Sequence, residues 1–253
     1  MLVSWEKSDS IGLYTNFGKD SAYYYLKKSV SKQGEKIYWQ TFGESGEIKK
    51  HLKSFKFYKF VHKDVFPEKT SEFLMPPPGS NLVSILTHSK ELREIANNIF
   101  SKFGFKLAIR PRENKLEIQR ELEEGVIIGF PYSLISDTLQ RIVFYLAAIY
   151  TNRNSVVAME EPEAHAFPYY TKYLAERVAM DRNNNQYFIT THNPYFLLSI
   201  LEKSSKDDVA VFITYFENYQ TKVKSMSQKE IEEVLSLGMD IFFNIERFLE
   251  GSD

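Results

Sequence analysis

The sequence predicts an α/β protein, a core sheet with flanking helices preceded by an antiparallel β lobe. Three observations predict it. Runs rich in β-branched and aromatic residues, punctuated by turn residues, fill positions 1–48. Ser133–Tyr150 carries an apolar face at helical spacing. Between Ser155 and Pro194 an apolar run, a helical stretch and a second apolar run succeed one another, the order of a βαβ unit.

The 253 residues suffice for one large or two small domains with a sizeable core. Hydrophobic residues make up 43% and charged residues 26%, ordinary for a soluble globular chain. A net charge of −1 gives no global field toward nucleic acid or membrane. The absence of cysteine excludes disulfides, zinc–thiolate sites and cysteine chemistry. No apolar run approaches the ~20 residues of a membrane-spanning helix. The opening MLVSWEKSDS lacks the basic-then-apolar form of a signal peptide, so a cytoplasmic location is expected.

The expected division is an antiparallel lobe over 1–70, a helix plus β segment over 71–132, and an α/β core over 133–253. In the lobe, LVSWE, IGLYTNF, AYYYLKKSV and KIYWQTF read as strands, with turns at Ser8–Ser10, Gly18–Asp20 and Lys32–Gly34. Gly18-Lys19-Asp20-Ser21 is not a phosphate loop. Such a loop needs Gly, four residues, then Gly-Lys-Ser/Thr. Leu13 stands where the first glycine should be, and Asp20 would repel phosphate. Gly18 reads as a hairpin turn. No other Gly-Lys-Ser/Thr occurs in the chain.

Residues 48–63, IKKHLKSFKFYKFVHK, interleave lysines and aromatics. They could neutralise phosphates and stack on bases. A strand with a lysine-decorated solvent face is the favoured reading. Pro76-Pro77-Pro78-Gly79-Ser80 marks a turn. Leu82, Ile85, Leu86, Leu92, Ile95, Ile99 and Phe100 then predict one amphipathic helix over about 81–103, closed by Gly104. KLAIR, KLEIQREL and GVIIGF read as strands. In the next helix Leu139, Ile142, Val143, Leu146 and Ile149 form the apolar face, and Ser136 is the candidate N-cap.

The central stretch places two adjacent carboxylates, Glu160 and Glu161, at the end of the apolar run Val156–Met159. The second run, Tyr187–Ile189, ends in Thr190, Thr191 and His192. Ligands bind beyond the carboxyl ends of parallel strands, because the connecting loops converge there. Two acids on one strand end and a histidine on the next suit a metal–phosphate group. Beyond them, Pro194 opens a helix, VAVFITYF and YQTKVKSM read as strands, and Ser227 with Glu230 predicts a capping box.

This stretch resembles the ABC-type ATPase heads of the RecF, structural-maintenance-of-chromosomes (SMC) and OLD-like AAA ATPase group. There a hydrophobic strand ends in Asp-Glu or Glu-Glu followed by Pro, the Walker B motif, and Thr-His-Ser/Asn-Pro comes later. Here these are Glu160-Glu161-Pro162 and Thr191-His192-Asn193-Pro194. The resemblance runs from about 72 to 215 and implies a P-loop NTPase-like core sheet. It further implies ATP and Mg as cofactors and a dimer as the working form. Glu160 would hold magnesium, Glu161 would orient and deprotonate the attacking water, and His192 would sense the γ-phosphate. Ser136, at the signature-motif position, would contact nucleotide across the dimer, with Ala164–Pro168 lining the dimer contact. Two glycines usually follow that serine; Asp137 and Thr138 stand there instead.

The family also has a first strand, a P-loop and a following helix, which this sequence does not show. The expectation is therefore a partial ABC-type ATPase needing a P-loop from another polypeptide or segment, in DNA repair or defence, with DNA as a candidate partner and no membrane. The competing class is a catalytically idle interaction module with the same fold, binding protein or nucleic acid. A divalent metal held by Glu160, Glu163, His165 and His192 is a weaker reading, because no His-x-x-x-His or His-Glu-x-x-His pattern supports it.

Overall fold

The computed structural model describes residues 2–5, 10–17, 20–31, 34–42 and 55–249. The chain divides into two compact units, Met1–Ser54 and Phe55–Asp253. In the first, β1 (Leu2–Trp5), β2 (Ser10–Phe17), β3 (Asp20–Ser31) and β4 (Gly34–Phe42) form an antiparallel meander in chain order. Leu2 lies opposite Tyr14, Leu13 opposite Tyr24 and Ser31 opposite Gly34. The candidate turn at Gly18, residues 48–54 of the lysine-rich run and the tail after Leu249 lie outside the described residues.

The second unit is built on a three-stranded parallel sheet. β5 (Phe55–Tyr58) and β10 (Gln186–Thr190) flank β9 (Val156–Glu160). β5 belongs to this unit because it pairs in parallel with the core strand β9. Tyr58, Val157 and Met159 are buried on one face of this sheet, where Tyr187 and Ile189 also pack. Lys56 is buried there too, against the expectation of a solvent-facing lysine row. Its Nζ donates to Asn152 Oδ1 at 2.6 Å and Ser155 Oγ at 3.2 Å, and lies 3.7 Å from the centroid of the Phe73 ring. A buried ammonium is tolerated only with such partners.

Helices α1 (Leu82–His88), α2 (Lys90–Ser101), α3 (Asp137–Thr151) and α4 (Pro168–Ala179) supply the rest of the main core. The single helix expected over 81–103 is two. Ser89 leaves the helical region (φ −95°, ψ 104°), and its Oγ accepts from Leu92 N–H, capping α2. Helix α3 starts after Ser136 as expected, but it is buried well beyond one face. Phe144, Tyr145, Ala147 and Ala148 are as enclosed as Ile142 and Leu146, as in a helix that is apolar all round. Gly79, in the proline-rich turn, has φ +67°, and a Cβ there would lie 2.8 Å from the Phe144 ring. Only glycine allows that backbone to approach α3 so closely.

The three expected strands appear as β6 (Lys106–Arg110), β7 (Lys115–Glu123) and β8 (Val126–Pro131), an antiparallel sheet in chain order. Leu107, Leu116 and Ile118 turn one face of it into the main core. C-terminal elements α5 (Pro194–Lys203), β11 (Phe212–Glu217), β12 (Gln220–Ser225), α6 (Gln228–Leu237) and α7 (Ile245–Leu249) gather around a second core of Leu201, Ile213, Met226, Ile231, Val234 and Phe248. The Ser227–Glu230 capping box is present. Helix α7 was not foreseen, because its five residues are too short for a periodic signal. No helix among the described residues is long and apolar enough to cross a membrane.

Candidate functional site

The parallel register sets Glu160 beside Thr190, so β9 and β10 end together. The chain then turns sharply. Glu161 adopts a left-handed backbone (φ 39°), its N–H donates to Thr190 O at 3.0 Å, and its carbonyl accepts from Ala164 N–H at 3.0 Å. His165 is also left-handed (φ 60°). Such conformations cost non-glycine residues roughly 1–2 kcal/mol each and persist only where surrounding contacts fix them. Here the carbonyl of His165 accepts from Thr138 Oγ1 at 2.7 Å, tying the acid loop to the first turn of α3.

Glu161 and His192 come together: His192 Nε2 is 3.4 Å from Glu161 Oε1. The imidazole is 84% exposed, so its ring faces solvent at the strand ends. Glu160 instead meets a cation, Lys59, whose Nζ donates to Glu160 Oε2 at 2.8 Å from just past the end of β5. Sequence reading placed Lys59 in a surface lysine row; the parallel pairing of β5 with β9 carries it to the acid pair.

Glu163 is the second residue whose position was not foreseen. It is only 4% exposed. Thr191 Oγ1 donates to Glu163 Oε1, while the buried Oε2 has no hydrogen-bond partner. Burial pushes the Glu163 carboxyl above its ordinary range, and the Thr191 hydroxyl opposes that shift. Thr191 Oγ1 also accepts from Asn193 N–H at 3.0 Å, and Asn193 Oδ1 caps α5 through Tyr195 and Phe196 N–H. A chain of bonds therefore runs from the acid loop to the start of α5.

Ser136 lies at the exposed start of α3, where its Oγ accepts from Leu139 N–H at 3.4 Å. Asp137 carries less open charge than its sequence position suggests. Arg141 Nε donates to Asp137 Oδ2, and His62 Nε2 lies 2.9 Å from Oδ1. The Arg141 guanidinium stacks 4.8 Å from the Phe60 ring centroid. Arg141 compensates the acid on Oδ2, which removes part of its repulsion toward an anion at this helix start, while the buried Oδ1 makes no hydrogen bond.

The donor set fits magnesium better than a transition metal. Among the described residues no group of three or more His, Cys, Asp or Glu side chains could enclose an ion, so Glu160, Glu163, His165 and His192 do not form a metal cage. Magnesium is commonly held by one or two carboxylates with waters and substrate phosphates. Glu160, exposed at the strand end with Oε1 unengaged by Lys59, meets that requirement.

No curated protein matches the chain. Among solved structures, the SMC head domain from Thermotoga maritima is similar, at 11% identity over 86% of this chain and 74% of that one, with a TM-score of 0.37. An SmcHead bound to the C-winged helix domain of ScpA gives 13% identity over 87% and 75%, with a TM-score of 0.45. The Smc head with coiled coil and joint from Pyrococcus yayanosii gives 14% over 57% and 28%, with a TM-score of 0.39. Residues 44–199 match the family described as "AAA domain, putative AbiEii toxin, Type IV TA system". That match spans more than half of the sequence and includes the acid pair, the histidine and the α3 start, so the chain belongs to this family of AAA domains.

Proposed function

We infer that the chain takes part in magnesium-dependent ATP binding and hydrolysis at the shared end of β9 and β10, with the phosphate-cradling loop supplied from outside these 253 residues. The reading rests most on one observation: Glu161 and His192 approach to 3.4 Å beside Glu160, on the adjoining ends of two parallel strands. Phosphoryl transfer needs positioning and charge compensation more than covalent help from the protein. Bound magnesium–ATP would supply the reacting phosphorus and the cationic charge. Glu160 would anchor the cation, mostly through water. Glu161 would accept the proton of the attacking water, held at its angle by the Thr190 and Ala164 backbone bonds. His192 would donate to the terminal phosphate. Ser136 and the free N–H groups at the start of α3 would face nucleotide held by a second copy, since helix N-termini favour anions. A task in DNA repair or defence rests on family analogy.

A second reading is favoured by Lys59. An ammonium already paired with Glu160 is also what an idle ATPase fold, kept as an interaction module, would carry.

ATP binding and turnover with magnesium, measured beside Glu161→Gln, test the proposal. The chain alone is expected to bind no nucleotide. Joined to a P-loop-bearing polypeptide, it should hydrolyse ATP, and Glu161→Gln should abolish turnover while keeping binding. Tight binding by the chain alone, with turnover lost in Glu161→Gln, would show that a phosphate loop lies unrecognised within residues 1–50. Equal turnover in both proteins would remove Glu161 from the chemistry.

A further inference from the structure

Strand β8 is the edge of its sheet: β7 pairs with it on one side, and no strand pairs with the other among the described residues. Its sequence is VIIGFP, and all six residues are exposed. Val126 is 48% and Ile127 59% exposed. Proteins usually blunt such an edge with charge, a bulge or a cover, because its open N–H and C=O groups invite another strand. Here the register shift lies on β7, between Glu121 and Glu123, and the one edge-blunting residue on β8 itself is Pro131 at its end, leaving Val126–Phe130 open.

The two faces of β8 differ. Phe130 lies opposite the buried Ile118, so Ile128 and Phe130 continue the layer that β6 and β7 turn toward the core. Ile127 and Gly129 lie on the other face, opposite Glu121 and Gln119. An added strand with apolar residues at alternate positions would extend the first layer and cover Ile127 on the second.

Charge identifies the occupant. The hairpin feeding β8 carries Glu121, Glu123 and Glu124. Glu121 has Lys106 at 3.6 Å. Among the described residues no lysine or arginine pairs with Glu123 or Glu124. A second copy pairing edge to edge would leave these acids uncompensated, since residues 125–136 contain no lysine or arginine in any register. We propose that β8 is a docking edge for an extended segment of a partner protein, apolar at alternate positions and basic at the end that meets Glu123 and Glu124. Main-chain bonds would supply affinity, and the apolar pockets and charged end specificity.

The test uses two acetylated decapeptides of alternating valine and threonine, one ending in two lysines and the other in two glutamates. Binding is read by fluorescence anisotropy, and hydrogen exchange locates it. The lysine peptide should bind about threefold to tenfold tighter at low salt, as two exposed ion pairs allow. It should slow exchange at residues 126–131. Glu123→Lys with Glu124→Lys should reverse the preference, and Ile127→Lys should weaken both peptides. Equal binding of the two peptides, or no protection of 126–131, overturns the proposal. So does a concentration-dependent dimer that Ile127→Lys disrupts, which would make a second copy the occupant.

Discussion

Lys59 Nζ lies 2.8 Å from Glu160 Oε2, bridging the ends of two neighbouring parallel strands. Both side chains are more than half exposed. An exposed pair of this kind contributes about 0–1 kcal/mol to stability. Its consequence lies in occupancy: the ammonium competes with a metal cation for the Glu160 carboxylate. Lys59→Met should leave the melting temperature within about 4 °C of wild type, the shift that roughly 1 kcal/mol produces in a chain of this size. It should tighten manganese binding about threefold, a modest gain because the competing charge is solvated. Paramagnetic broadening of the amides around Glu160 would report this, and Glu160→Gln should abolish it. Unchanged broadening in Lys59→Met would mean that the lysine does not guard the site.

Glu163 makes stability depend on pH. Its carboxyl is raised above the ordinary 4.5 chiefly by burial. Between 4.5 and that raised value the folded chain keeps a proton that the unfolded chain has released. Stability therefore falls as pH rises through this window, and below it the contribution of the protonated group is fully present. Glu163→Gln keeps an acceptor for Thr191 and carries no charge. Its melting temperature should gain on wild type as pH is raised from ~4 to ~8. Two curves that stay parallel across that range would rule out Glu163 as the titrating group.

Much of this was legible in the sequence where local signals agree. The apolar runs ending in Glu160 and in Thr190 fixed β9 and β10, and Ser136 and Ser227 marked helix starts. The residues that were missed depend on pairing across the chain. Lys59 and Lys56 sit in one lysine-rich run, yet one reaches the acid pair and the other is buried beside Asn152, because β5 aligns in parallel with β9. Nothing within the run distinguishes them. The break at Ser89 was hidden because the apolar spacing continues across it; only a serine cap marked it. Asp137 meets a local partner, Arg141 four residues on, and also His62 from a distant segment, and the second neighbour cannot be read from spacing.

Asn152 links three buried groups. It is fully buried, accepts from Lys56 Nζ, donates to Tyr58 Oη at 2.8 Å and donates to Ala148 O at 2.7 Å. Tyr58 Oη in turn donates to Leu74 O at 2.6 Å, which fixes the segment before the proline-rich turn. Removing one member of a buried network leaves the others desolvated and unpaired, which costs more than the bonds themselves contribute. Asn152→Ala should therefore destabilise the chain by about 3 kcal/mol, read from urea unfolding near neutral pH. The combined change Lys56→Met with Asn152→Leu removes both the buried ammonium and its acceptor. It should be less destabilising than Asn152→Ala alone, because no charge remains unpaired. If instead the double variant is the weaker protein, the network stabilises the fold through its bonds, and the cost of the buried charge is not what decides the outcome.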